Sequence, residues 1–165
     1  MKRALVYGAN SEKATELIKF LKKNNSYWVR AVDKDMTSSE IADDFVMADL
    51  TEASSVMTTM FSDVQPFDEV YQFTQTEDNS ADDFVTSSLV NIYTLRYAKR
   101  FCVGKVFCLS NGSKHIEKLY SLSKKDKDIN VTLIKTTGKT TSEDIIKLVK
   151  KENKKALKKL GKIKK

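Results

Sequence analysis

A strand, a turn and a helix follow one another at the start of the chain, and the same alternation runs on without a break. Arg3–Tyr7 reads as a short apolar strand, Gly8 opens a turn, Ser11–Lys23 carries helical periodicity, and Trp28–Val32 is a second strand with Asp33 at its end. Phe45–Ala48 then reads as a third strand, Ser55–Phe61 as a short helix, Glu69–Phe73 as a fourth strand and Ala81–Arg100 as a long helix. Lys105–Leu109 is a fifth strand, Lys114–Ser123 a helix, Asn130–Lys135 a sixth strand, and a last helix starts at Ser142, read as its N-cap, with Glu143 and Asp144 in its first turn. This order predicts a doubly wound α/β domain with a parallel sheet of about six strands. The continuous apolar runs VFCL and VTLI suit strands covered on both faces, and Ala14, Leu17, Ile18 and Leu21 form a one-sided helical stripe.

A length of 165 residues suits one domain with one buried core. Apolar residues at 41% and charged residues at 31% belong to a globular chain, and no apolar run is long enough to span a bilayer. The opening MKRALVYGANSEK is too briefly apolar for a secretory signal, so a cytoplasmic location is expected. Cys102 and Cys108 point to neither a disulfide framework nor a zinc site, and Cys108 reads as core. With His115 as the single histidine and no carboxylate cluster at ligand spacing, no metal is expected.

Charge is unevenly placed. The net +7 resides in residues 151–165, KENKKALKKLGKIKK, with eight lysines and one glutamate, and the rest of the chain is charge-balanced. The division expected is therefore a Rossmann-like domain over 1–150 and a basic helical tail over 151–165. Ile145, Val149, Ala156, Leu160 and Ile163 fall near one face of this last helix. Its first half can pack on the sheet, and its second half is an amphipathic lysine helix. Lysines without arginine or aromatic residues offer point charges but no base reader. A solvated helix, an acidic protein partner or sequence-independent contact with nucleic acid are the readings open to it.

The turn YGANSEKA decides what the first unit does. A dinucleotide-binding fingerprint has three glycines; here Gly8 stands at the first position, with Ser11 and Ala14 at the other two. Gly8 also has an ordinary reading as a strand-to-helix turn with positive φ, and Asn10 or Ser11 as a helix cap. Asp33 and Asp49, both at strand ends, read equally as solvated aspartates. The string TTGKTT at Thr136–Thr141 has Leu133 where a phosphate loop needs its first glycine, and reads as capping and loop closure.

From about Lys2 to Lys135 the sequence resembles the NAD-dependent epimerase/dehydratase group, the extended short-chain dehydrogenases/reductases. YGANSEKA sits at the family's glycine turn and Asp33 at its ribose-binding acid. ADLTE at Ala48–Glu52 resembles its Asp-Leu segment, and VYQFTQ its fourth strand, with Thr74 and Gln75 in place of the usual alanines. LRYAKRFCVGKVFCLSNGS resembles its long helix and serine-bearing fifth strand. The resemblance implies NAD as cofactor, favoured over NADP by the acidic residue at 33. It assigns Gly8, Asn10, Ser11, Asp33, Asp49, Leu50 and Thr74 to cofactor binding, with the amides of Asn10 and Ser11, or the Ser11 hydroxyl, donating to the phosphate. It also implies a homodimer through helices 81–100 and 114–123.

The family's acid–base pair is Tyr-x-x-x-Lys with a strand-end serine or threonine. YSLSK supplies Tyr120 and Lys124, with Ser110 or Ser113 as the hydroxyl. The helix, however, ends within a turn of Lys124, and its buried stripe of Ile116, Leu119 and Tyr120 or Ser123 draws Tyr120 toward the sheet. After the sixth strand, where the family builds a substrate domain, this sequence has one helix and a lysine tail. The leading expectation is thus a reduced, non-catalytic relative with residual dinucleotide binding and no assigned catalytic residue. The alternatives are an active NAD-dependent oxidoreductase or sugar-nucleotide epimerase using Tyr120 and Lys124, and a polyanion-binding adaptor acting through the tail.

Overall fold

The computed structural model describes residues 1–23, 26–36, 39–74, 80–110, 112–137 and 139–163, with the side chains of residue 39 and of 156–163 outside that description. Parallel strands β1 (Lys2–Tyr7), β2 (Tyr27–Asp33), β3 (Asp44–Met47), β4 (Glu69–Gln72), β5 (Lys105–Ser110) and β6 (Val131–Lys135) form one sheet. Their order is β3-β2-β1-β4-β5-β6. The helices are α1 (Glu12–Lys22), α2 (Ala53–Met60), α3 (Ala81–Arg100), α4 (Lys114–Ser123) and α5 (Ser142–Ile163). This is the doubly wound architecture expected from the alternation of elements.

β1 reads as an unbroken apolar run because its alternate side chains enter two different cores. Ala4 and Val6 join Val29, Ala31, Tyr71, Phe107 and Ile134 beneath α1 and α5. Leu5 and Tyr7 join Val32, Val70, Val106 and Cys108 on the opposite face, beneath α2, α3 and α4. The α1 stripe of Ala14, Leu17, Ile18 and Leu21 is buried, and Ile145 and Val149 bring α5 down beside it. Among the described residues no helix is long and apolar enough to cross a membrane.

The element ends differ from expectation by a residue or two, each for a local reason. Thr141, not Ser142, caps α5: its hydroxyl accepts from the Asp144 amide at 3.3 Å, while the Asp144 carboxylate accepts from the Thr141 amide at 3.2 Å. That reciprocal pair puts Ser142 inside the first turn. β4 closes at Gln72, and the Phe73 amide makes one further bond, to the Tyr7 carbonyl at 3.0 Å. α5 runs as one helix across residues 150 and 151.

The connections after β1 and β4 leave toward opposite faces, to α1 and α3. In an open parallel sheet this switch leaves a crevice at the carboxyl ends of the two strands, where ligands bind. Gly8 follows β1 and Thr74 follows β4, so both stand at that point.

Candidate functional site

Four chain segments meet at the carboxyl ends of the strands around a cavity of about 90 Å3. Asp33 and Lys34 come from the end of β2, and Ala48, Asp49, Leu50 and Thr51 from the end of β3. Thr74 follows β4, and Thr86 and Val90 come from α3. Of the expected cofactor residues, Asp33, Asp49, Leu50 and Thr74 are thus brought together, while Gly8, Asn10 and Ser11 form the adjoining turn.

That turn is tied down by its own hydrogen bonds. The amides of Gly8 and Ala9 both donate to the Val32 carbonyl, at 3.0 and 3.3 Å, and the Asn10 amide donates to Asp33 Oδ2 at 2.9 Å. The Ser11 amide donates to the Gly8 carbonyl at 3.3 Å. Ser11 Oγ donates to the same carbonyl at 3.0 Å and caps α1 by accepting from the Ala14 amide at 3.3 Å. The expected phosphate donors, the Asn10 and Ser11 amides, therefore already have acceptors within the chain, and the Ser11 hydroxyl is the helix cap. A helix start has four amides without intrahelical partners. Of these, the Ser11 amide donates to the Gly8 carbonyl and the Ala14 amide to the Ser11 hydroxyl, leaving Glu12 and Lys13 as the donors an anion would meet.

Gly8 has φ of +71°, and a Cβ there would lie 2.6 Å from the Thr74 amide nitrogen and 2.8 Å from the Phe73 carbonyl carbon. Both collisions are with backbone, so the missing side chain is required by the closeness of the β1 and β4 exits. Thr74 is held there by its amide bond to Gln72 Oε1 at 2.8 Å.

Asp33 accepts one backbone amide on each carboxylate oxygen, from Asn10 at 2.9 Å and from Lys34 at 2.8 Å. Each oxygen keeps a lone pair, so the group can still accept from a ligand's hydroxyls. Asp49 accepts from the Thr51 hydroxyl at 2.7 Å and the Thr51 amide at 2.9 Å, and pairs with Lys34 Nζ at 3.0 Å. These contacts, the Thr51 hydroxyl foremost, lower its carboxyl pKa to about 2. Both partners of the Lys34–Asp49 pair line the cavity. Two buried polar atoms beside the cleft, Asn10 Oδ1 and Thr74 Oγ1, have no hydrogen-bond partner among the described residues. Unpaired polar atoms at a strand-end crevice are what a bound polar ligand would satisfy. The donor set fits the adenosine half of a dinucleotide: an acid for ribose hydroxyls, Leu50 and Val90 for an aromatic face, and threonine for its edge. The free volume is well below the ~300–1,000 Å3 of a typical ligand pocket, so adenosine fits only if lining side chains move.

The tyrosine–lysine pair lies elsewhere. Tyr120 is wholly buried, and its hydroxyl donates to Asn91 Oδ1 at 2.8 Å inside the core beneath α3. Burial, with the Cys108 thiol beside it, pushes the phenol far above its ordinary range. Lys124 is the exposed residue that ends α4. Ser110 is buried with its Oγ accepting from the Gly112 amide, and Ser113 Oγ pairs with His115 Nδ1 at 2.7 Å. None of these side chains lines the cavity that holds Asp33 and Asp49. Gln75, and Gly138 within TTGKTT, lie outside the described residues.

Sequence reading missed Lys34, Thr51, Thr86 and Gln72 as parts of the site. Asp49-x-Thr51 carries the spacing of a local side-chain turn, and Gln72 was visible as a polar residue within an apolar strand. Nothing in sequence marks Thr86. Among the described residues no group of three or more His, Cys, Asp or Glu is placed to hold a metal ion.

No family model and no curated protein matches the chain. Solved structures do. A mutated uronate dehydrogenase superposes with a TM-score of 0.65 at 20% identity, covering 79% of this chain and 56% of that one. The UDP-glucuronic acid 4-epimerase from Bacillus cereus, solved in complex with NAD, gives 0.64 at 20% identity, covering 82% and 56%. The UDP-glucose 4-epimerase from Thermus thermophilus, also an NAD complex, gives 0.69 at 14%, covering 81% and 54%. The protein therefore has the Rossmann-like fold of NAD-dependent epimerase/dehydratase enzymes. It spans about half the length of the solved structures it matches.

Proposed function

We propose that this protein is a dinucleotide-binding module of the epimerase/dehydratase type that holds the adenosine end of NAD and carries no acid–base pair of its own. The observation that carries the reading is the convergence of Asp33, Asp49, Leu50 and Thr74 on one cavity at the sheet's switch point. Asp33 would take the ribose hydroxyls, Leu50 and Val90 the adenine, and the Glu12 and Lys13 amides an anionic oxygen at the start of α1. The chemistry NAD supplies when bound is hydride transfer, which also needs a proton donor beside the substrate oxygen. The Tyr120 hydroxyl donates its hydrogen bond into the core, to Asn91 Oδ1, which supports a binding role over a catalytic one.

Calorimetric titration with NAD, NADH and NADP tests this. Saturable NAD binding is expected, weakened by about tenfold or more, roughly 1.4 kcal/mol, in Asp33→Ala and unchanged in Tyr120→Phe. Absence of any nucleotide-dependent rise in melting temperature at millimolar NAD would remove the cofactor from the account. Reductase or epimerase turnover abolished by Tyr120→Phe would restore the catalytic reading.

A further inference from the structure

At the edge of the sheet opposite the nucleotide cleft, a second constellation surrounds Lys105. This residue opens β5 and is 7% exposed, with its ammonium over the Phe107 ring at 4.5 Å from the centroid. Among the described residues no carboxylate lies within ion-pairing distance of it. The two nearby acids are committed elsewhere. Glu69 is its register partner on β4, yet its carboxylate accepts from Lys2 Nζ at 3.0 Å, from Tyr27 OH at 3.1 Å, from Tyr71 OH and from Asn153 Nδ2 at 3.1 Å. Glu152 pairs with Lys155 at 2.5 Å. A buried cation held by acids only at a distance, Glu152 and Glu69, is costly, and a cation–π contact offsets only part of that cost.

Lys105 lines a hollow of about 360 Å3, together with Lys124 at the end of α4, Lys155 and Glu152 on α5, and Asn130 to Leu133 leading into and along edge strand β6. Three lysines from three separate elements thus line one hollow with a single carboxylate, that of Glu152, which pairs with Lys155, and Asn130 and Thr132 add neutral hydrogen-bonding groups. The volume falls within the ~300–1,000 Å3 range of small-molecule sites. Lysine ammoniums suit a phosphate group, which accepts from several directions and needs no planar fork.

We propose that this hollow is an anion site for the phosphomonoester group of a small molecule, with Lys105 supplying the buried charge and Lys124 and Lys155 closing over the ligand. Desolvation lowers the pKa of Lys105, and a bound dianion would restore the charge balance that the protein leaves open. A nucleic-acid backbone suits the site less well, because a polymer lying on the surface reaches Lys124 and Lys155 but not the buried Lys105.

The test is titration of the full chain with inorganic phosphate and with ribose 5-phosphate at constant ionic strength, against chloride and duplex DNA as comparators. Saturable binding in the millimolar range or tighter is expected, weakened about tenfold or more by Lys105→Met and by the Lys124→Gln/Lys155→Gln double variant. Asp33→Ala should leave it unchanged, which separates this site from the nucleotide cleft. The double variant alters exposed side chains alone and decides the matter if Lys105→Met does not fold. Non-saturable binding, equal affinity in the double variant, or displacement of ribose 5-phosphate by duplex DNA would overturn the proposal.

Discussion

Cys102 is the one described non-glycine residue with positive φ, at 53°. It sits just past α3, where the Cys102 amide donates to the Lys99 carbonyl at 3.3 Å and the Val103 amide to the Ala98 carbonyl at 2.9 Å. This is the Schellman arrangement, and it places Cys102 where glycine is usual. A left-handed backbone costs an L-residue roughly 1–2 kcal/mol, part of which glycine loses again through its freer unfolded chain. Cys102→Gly is accordingly expected to raise stability by up to about 1 kcal/mol in urea denaturation, and Cys102→Val to lower it. The exposed position makes this thiol a reporter as well. In the native protein Cys102 should react with a thiol reagent while Cys108, buried and with its thiol pushed up to about 12, should react only on unfolding.

At the scale of elements, Glu69 determines how α5 sits on the sheet. Its carboxylate gathers donors from β1, β2, β4 and α5, and Asn153 is the α5 member of that set. Removing the acceptor would strand the Tyr71 hydroxyl in the core, whereas removing one donor leaves the carboxylate well satisfied. Glu69→Ala is therefore expected to cost about 3 kcal/mol or more in chemical denaturation. Asn153→Ala should cost about 1 kcal/mol, with faster amide exchange confined to α5 beyond Val149. The reverse ranking would show that α5 is held by its apolar contacts, Ile145 and Val149, and not by this polar cluster.

Element type was legible because periodicity is a local property. The α1 stripe and the apolar runs such as VFCL and VTLI carry their periodicity in the sequence itself, and the order of elements then gives the architecture. The ends were less legible, since they rest on side-chain hydrogen bonds such as Thr141 with Asp144. In the candidate site, Asp33 and Asp49 stood out as acids at strand ends, but Lys34 and Thr86 become site residues only through contacts made across the fold. The family resemblance turns the Ser11 hydroxyl and the turn amides outward to a ligand, whereas in the structure they close the turn on itself, with Ser11 as the helix cap that the sequence also allows. Sequence shows which donors exist and not which acceptors reach them first.

For the whole molecule, charge and fold are separable. The net +7 comes from residues 151–165, which include the second half of α5, while residues 1–150, with the whole sheet and the other helices, are charge-balanced. Replacing Lys158, Lys159, Lys162 and Lys164 with glutamine should lower the salt concentration that elutes the protein from a cation exchanger and leave Tm unchanged. A fall in Tm would instead tie the end of α5 to the body of the fold.

Gly8 has a bearing on how such sequences age. Its bare Cα is demanded by Thr74 and Phe73 of the same chain, so selection for folding alone preserves it. The later fingerprint positions, here Ser11 and Ala14, accept a helix cap and a buried methyl without strain. A lineage released from its cofactor is thus expected to shed the second and third glycines early and the first one last. A solitary glycine after the first strand is therefore what folding itself requires of such a turn, and its presence alone does not report a bound ligand.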